Sequence, residues 1–260
     1  MSLDFTLKKY ALFCRTLQGL PYPVMTVKSF LDAGQPREVA VVLRHDIDRC
    51  MKDALQMARL EAQHDIRATY YVRMTGSVFK PGAIQELTEL GHDVGYHYET
   101  LAKAKGNDRQ AIEIFKEELY KLRRIASVDT ISMHGSPLTP WNNLDLWETF
   151  DYRDFDIKGE FSLSIDYSDF YYFTDTGRRW DAGRYNLRDH VSSSSHSHTQ
   201  RIHTTDDLIK FLKNTVDAPI FINTHPNRWA SGPIRWCVGA LSDFFINQIK
   251  WLVSRFRKSI

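Results

Sequence analysis

Two aspartates stand two residues apart at the end of an apolar run, Val39-Ala40-Val41-Val42-Leu43-Arg44-His45-Asp46-Ile47-Asp48. Charges in such a place are costly unless they are paired or bind a metal. On an extended strand Asp46 and Asp48 point the same way, and carboxylates that close raise each other's pKa unless a cation intervenes. The spacing suits one carboxylate holding a metal while the other acts as a base. A plainer reading is an Asp that caps the next helix, with Arg44 as its ion-pair partner, although a cap needs only one Asp. Three more apolar segments end in histidine, at His97, His134 and His225. Carboxylate plus imidazole is the ligand set of a catalytic zinc or similar divalent ion, with three protein ligands and one open position. Such an ion acidifies water and polarises a carbonyl. A free carboxylate then takes the water proton, and a histidine on the far side protonates the leaving group. These parts fit hydrolysis of an amide or ester.

For those side chains to meet, the segments must be strands of one parallel sheet, whose carboxyl ends share a face. The dense Val/Leu run at 39–47 suits a strand buried on both faces. Strands are also expected over 68–73, 93–99, 130–133 and 219–223, with further ones at 161–165 and 171–173. Helical spacing of apolar residues falls between them, over 49–63, 81–90, 108–125 and 204–213. Pro81 opens one of these helices, Gly91 stops it, and Thr204 caps another. Helices at 4–19 and 239–257 are expected at the periphery. The alternation predicts parallel strands joined by right-handed crossovers. Six or seven strands, with neither GxGxxG nor GxxxxGK[ST] in the chain, give an α/β class: a distorted (β/α)7 TIM-like barrel in a single domain over 1–260. The polar stretch 188–203 holds His196 and His198 and reads as a solvated loop. Arg255, Arg257 and Lys258 suit the end of a packed helix, where they complement its dipole.

With 260 residues, 43% of them hydrophobic, the chain can bury a substantial core. A net charge of +2 makes no demand for a nucleic-acid partner. Three cysteines, Cys14, Cys50 and Cys237, form no CxxC pair, which argues against a disulfide framework and for a reducing compartment. Lys8, Lys9 and Arg15 interrupt the N-terminal apolar positions, unlike a signal peptide. No run reaches 18 apolar residues, so no transmembrane segment is expected, and a cytoplasmic location follows. Six Trp and 12 Tyr supply rings that stack on sugars as well as pack cores.

Leu43-Arg44-His45-Asp46-Ile47-Asp48, then Gly91-His92-Asp93-Val94-Gly95-Tyr96-His97, then a late strand ending at His225, resemble the polysaccharide deacetylase family. These are metal-dependent enzymes that remove N- or O-acetyl groups from glycans on a distorted β/α barrel. The resemblance covers most of the chain, from Glu38 to Pro226. It looks most like the subgroup encoded with bacterial surface-polysaccharide (O-antigen) genes, which has segments similar to His134-Gly135-Ser136-Pro137, Tyr172-Phe173-Thr174-Asp175 and Thr224-His225-Pro226. The resemblance implies Asp46 as general base, Asp48 as metal ligand, His97 as the first His of a His-x-x-x-His metal motif, and His225 as general acid.

Two departures stand out. Leu101 occupies the place of the second motif histidine, and His134-Gly135-Ser136-Pro137 replaces an Arg-x-Pro motif. The third metal ligand is therefore expected from His134, with Glu99 next in line. His45 alternates away from the Asp pair and is expected to pack or to support it. Glu99, Asp175, Trp141 and Trp229 are the candidate substrate-binding residues, Asp175 orienting catalytic groups or the sugar. The implied cofactor is a divalent metal, zinc first, with Ni, Co and Fe open. The implied partner is a carbohydrate, on a nucleotide- or lipid-linked precursor. Two other readings stand beside this one: a catalytically inactive glycan-binding or scaffold protein on the same barrel, and a hydrolase of another C–N bond, since a fold does not fix a function.

Overall fold

Seven consecutive buried residues, Val41–Ile47, make the central strand. The computed structural model describes residues 3–136, 139–180, 202–214 and 216–242. His196, His198 and the part of the expected C-terminal helix beyond residue 242 lie outside the described residues. In chain order the elements are α1 (Leu7–Gln18), β1 (Val24–Met25), α2 (Val27–Asp32), β2 (Val41–Ile47), α3 (Met51–Ala62), β3 (Thr69–Arg73), α4 (Pro81–Glu89), β4 (Asp93–Tyr98), α5 (Thr100–Lys103), α6 (Asp108–Arg123), β5 (Thr130–Met133), α7 (Leu146–Thr149), β6 (Gly159–Glu160), β7 (Tyr171–Thr174), α8 (Thr205–Lys213) and β8 (Ile220–Thr224).

The strands pair in the order β6-β5-β4-β3-β2-β8-β7, with β1 added beside β2. Every pairing is parallel. The result is an α/β fold whose seven-stranded sheet curls into a half-barrel with helices alternating around it, a distorted TIM-like barrel. The sheet is left open between β6 and β7. Aromatic and apolar side chains from the segment joining them, among them Phe161, Ile165, Tyr167 and Phe170, fill the interior together with Val42, Tyr71 and Phe221. From the amino-terminal side α2 supplies Val27 and Phe30 to the same cluster. A larger apolar layer lies between the sheet and the outer helices.

The helices follow local rules. Thr6 caps α1 by accepting from the Lys9 N–H, and Tyr10, Phe13, Cys14 and Leu17 form its buried face. Thr204 and Asp207 form a reciprocal capping box on α8. The expected strand at 161–165 is not formed. The Ser162 and Leu163 N–H groups instead donate to the Glu160 carboxylate, at 2.6 and 3.0 Å, and turn the chain just after β6. The chain also forms β1, α2, α5 and α7, which are too short to show a period in the sequence.

Strand alternation sets the layers of the interior. Val42, Arg44 and Asp46 rise in turn along the inner face of β2, from the apolar floor to the carboxyl end. The Arg44 guanidinium lies 3.8 Å from the Phe161 ring centroid and 5.0 Å from that of Tyr71, so an aromatic floor carries the cation that Asp46 needs. Gly95 on β4 makes room for this floor. A Cβ there would come within 2.4 Å of the Tyr71 ring and 3.1 Å of the Thr130 carbonyl. We expect Gly95→Ala to push Tyr71 off Arg44 and to cost about 1–3 kcal/mol through overpacking, read as a lower midpoint of urea unfolding.

Candidate metal centre

Three strands deliver the ligand set. Asp48 stands one residue beyond the end of β2, His97 lies near the end of β4, and His134 directly follows β5. One side-chain donor atom from each lies within 4.8 Å of the others. His97 Nε2 is 3.4 Å from Asp48 Oδ1, and His134 Nε2 is 3.6 Å from the same oxygen. The two imidazoles meet nearly at right angles, with ring centroids 5.2 Å apart.

Each imidazole is turned so that Nε2 faces inward. His97 Nδ1 lies 3.0 Å from the Ser132 carbonyl, which can only accept, so Nδ1 carries the proton and the Nε2 lone pair points at Asp48. His134 Nδ1 lies 3.0 Å from Ser136 Oγ and 3.3 Å from Glu99 Oε2. Outer partners of this kind fix the tautomer of metal-ligating histidines. Asn143 supports His134 by donating to its carbonyl oxygen at 2.8 Å.

The charges around the centre point the same way. Four carboxylates gather at this end of the barrel, and three have a guanidinium. Asp46 Oδ2 is 2.5 Å from Arg44 Nη2. Glu99 is held by Arg73 through Nε and Nη2 at 2.9 and 2.6 Å. Asp175 Oδ1 is 2.5 Å from Arg228 Nη1. The fourth is Asp48, whose carboxylate no Lys or Arg reaches among the described residues. Its Oδ1 is buried and has no hydrogen-bond partner. Burial alone would raise its pKa, but His97, with His134 and His225 around it, holds the carboxyl well below its usual range. A buried oxygen without a hydrogen-bond partner, faced by two imidazole Nε2 atoms, fits a divalent cation. Burial alone would likewise depress His97, and the nearby Asp46 and Asp48 charges reverse this and raise it. The pocket favours positive charge.

Two groups flank the centre. Asp46 keeps Oδ1 without a hydrogen-bond partner while Oδ2 accepts from Arg44 and, at 3.1 Å, from Asn223 Nδ2. Burial opposes its ionisation, yet Arg44, then His97 and His225, hold the carboxyl below its usual value. Beside Asp46, His225 Nε2 lies 4.0 Å from Asp46 Oδ2, and its Nδ1 lies 2.7 Å from Asp175 Oδ1. Asp175 is fully buried. It also accepts from the His225 backbone N–H at 2.9 Å and from Trp229 Nε1 at 3.0 Å.

This geometry corrects some of the sequence expectations. Trp229 is buried against Phe5, Tyr10 and Trp180. It is no sugar-stacking surface; its indole N–H holds Asp175. Asp175 reaches no open space for a sugar and instead orients His225. Glu99 is occupied by Arg73 and His134, with Lys103 Nζ 3.5 Å away, so it steadies a ligand and does not bind substrate. The strand stops at Tyr98, and Glu99 is the N-cap of α5. Trp141 is half-buried over Gly106. Leu101 packs in the core. Arg73, Asn223 and Arg228 were not visible as site residues, because their roles depend on pairings between distant strands.

No family model, curated protein or solved structure matches the chain. No helix among the described residues is long and apolar enough to cross a membrane.

Burial alone would raise the Asp175 carboxyl, but Arg228 and His225 outweigh it and hold it at about 2 against an ordinary 3.8. A depressed folded-state pKa contributes stability that is present above the unfolded value and lost as pH falls through the folded one. We expect Asp175→Asn to lose roughly 2 kcal/mol at neutral pH, from 1.36 kcal/mol per unit. The wild-type advantage in urea midpoint should narrow as pH is lowered below about 4.

Proposed function

We propose that the protein is a metal-dependent hydrolase that removes an acetyl group from an amino sugar or glycan precursor. The observation that carries this reading is the convergence of Asp48, His97 and His134 on one point, beside an acid–base pair. A divalent ion held there, zinc first, with Ni, Co or Fe also suited to two nitrogens and one oxygen, would supply polarisation of the acetyl carbonyl and activation of water.

The chain's own groups do the rest. Asp46, kept ionised by Arg44, takes the water proton at Oδ1, the oxygen left open by its two donors. His225, held by Asp175 through Nδ1, presents Nε2 to the cleft and delivers a proton to the departing amine or alkoxide. A base and an acid beside the centre are the groups that general acid–base hydrolysis requires. The resemblance in sequence supports a sugar as the carrier of the acetyl group. A nucleotide- or lipid-linked precursor of bacterial surface polysaccharide, met in the cytoplasm, is the substrate class we favour.

Elemental analysis of chelator-treated, reloaded protein should find about one divalent ion per chain in a site with three protein ligands. Asp48→Ala and His97→Ala should each lose it. Retention of full metal by His134→Ala would remove His134 from the ligand set. A wild type that takes up no metal would leave the inactive glycan-binding reading in its place. Asp46→Asn should keep the metal and lower acetate release by about 10²–10⁴-fold, the usual contribution of a general base. His225→Ala should lower the rate with the metal retained, and an unchanged rate would take His225 out of the mechanism.

A further inference from the structure

The strands that carry Asp46 and His225 are joined on their other face by a polar row. His45 points away from the proposed centre into the layer beneath the helices, and its register partners are Thr224 on β8 and Tyr70 on β3. His45 Nδ1 lies 2.5 Å from Thr224 Oγ1, and His45 Nε2 lies 2.7 Å from Glu61 Oε1. Glu61, on α3, accepts from Tyr70 OH at 2.7 Å and from Tyr10 OH on α1. His92 closes the cluster, its Nδ1 3.6 Å from Glu61 Oε2. It is a spectator: its Nε2 lies 3.0 Å from the Ala58 carbonyl and its Nδ1 accepts from the Ala68 N–H, which fixes it as neutral. Every group in the row is buried.

A polar network of this kind is costly to bury, and an apolar row would pack the same layer without that cost. What it adds is a fixed register. A slip of one residue reverses every side chain on a strand, and a one-step shift of β2 against β8 would separate Asp46 from His225. His45 and Thr224 are the last registered pair of that ladder. They stand between the front-face pairs that set the proposed chemistry, Asp46 with Asn223 and Asp46 with His225.

We propose that His45 is a positioning residue which, through Thr224 and anchored by Glu61, sets the spacing of the Asp46–His225 acid–base pair. This rests on the hydrolase reading above.

His45→Phe would leave Glu61 buried without its imidazole partner and could fail to fold, so the primary variant is Thr224→Val, which removes only the hydroxyl at equal volume. In zinc-loaded protein with ¹⁵N-labelled histidine, Thr224→Val should displace the His225 imidazole resonances while those of His97 and His134 stay in place. The metal content should match that of wild type. Deacetylation of an acetylated amino sugar should show kcat reduced about ten- to a hundredfold with KM unchanged, the scale of a small misplacement of a catalytic group. Thr224→Ser should restore both. Unmoved His225 resonances would overturn the proposal. So would a kcat loss that Thr224→Ser does not recover, or one that comes with equal losses of metal and of thermal stability. A wild type that releases no acetate would overturn the acid–base reading, and the resonances would still decide whether the clamp exists.

Discussion

Four carboxylates gather at one end of the barrel, Asp46, Glu99 and Asp175 buried and Asp48 partly so, and much of this end of the structure is arranged around neutralising them. Asp46, Glu99 and Asp175 each have an arginine. Asp48 has two imidazoles and, among the described residues, no guanidinium. An isolated ionised carboxylate cannot be kept dry without a compensating charge. The three arginine pairs therefore read as fixed structure, and Asp48, with His97 and His134, as a possible metal site. The imbalance is local and chemical. It gives more direct support to a metal than the presence of histidines alone, since His45 and His92 show that this chain also buries histidines for structural ends.

The support runs downward through the layers. Asp46 stands on Arg44, Arg44 on Phe161 and Tyr71, and Tyr71 fits only because residue 95 has no side chain. The buried guanidinium has aromatic faces on one side and a carboxylate on the other. It transmits the packing of the apolar floor into the position of the proposed base. Asp175 does the equivalent for His225, fixed in turn by Arg228 and Trp229. Each proposed acid or base is thus held by a buried partner whose own rotamer is locked by packing.

β2 has two functions because a strand has two faces. Its inner residues Arg44 and Asp46 belong to the proposed chemistry, and its outer residue His45 belongs to the helix layer and ties the strand to its neighbours. The row Thr224–His45–Tyr70 crosses three adjacent strands at one level. The strands that carry the proposed base and acid are therefore fixed to one another from behind as well as from the cleft.

The sequence by itself determined the parallel α/β architecture and the residues at its strand ends. The reason is that strand burial, helix period and chain reversals are written in short stretches, and long apolar runs that end in Asp or His are visible as such. The rule that parallel strands share a carboxyl face gathered Asp46, Asp48, His97, His134 and His225, the resemblance singled out Asp48 and His97 as ligands with His134 expected as the third, and the structure brings those three to one point. The sequence missed the turn at Glu160, because the apolar run after it satisfies a strand pattern equally well until the carboxylate captures the next two N–H groups. It left Trp229 and Glu99 open, since an aromatic or an acid near a strand end looks the same in sequence whether it faces the cleft or a neighbouring arginine. Only the tertiary structure decided which carboxylate has a guanidinium and which has none. Arg73, Arg228 and Asn223 reach their partners across strands 26, 53 and 177 residues apart in the chain, and separations of that kind leave no local pattern to read.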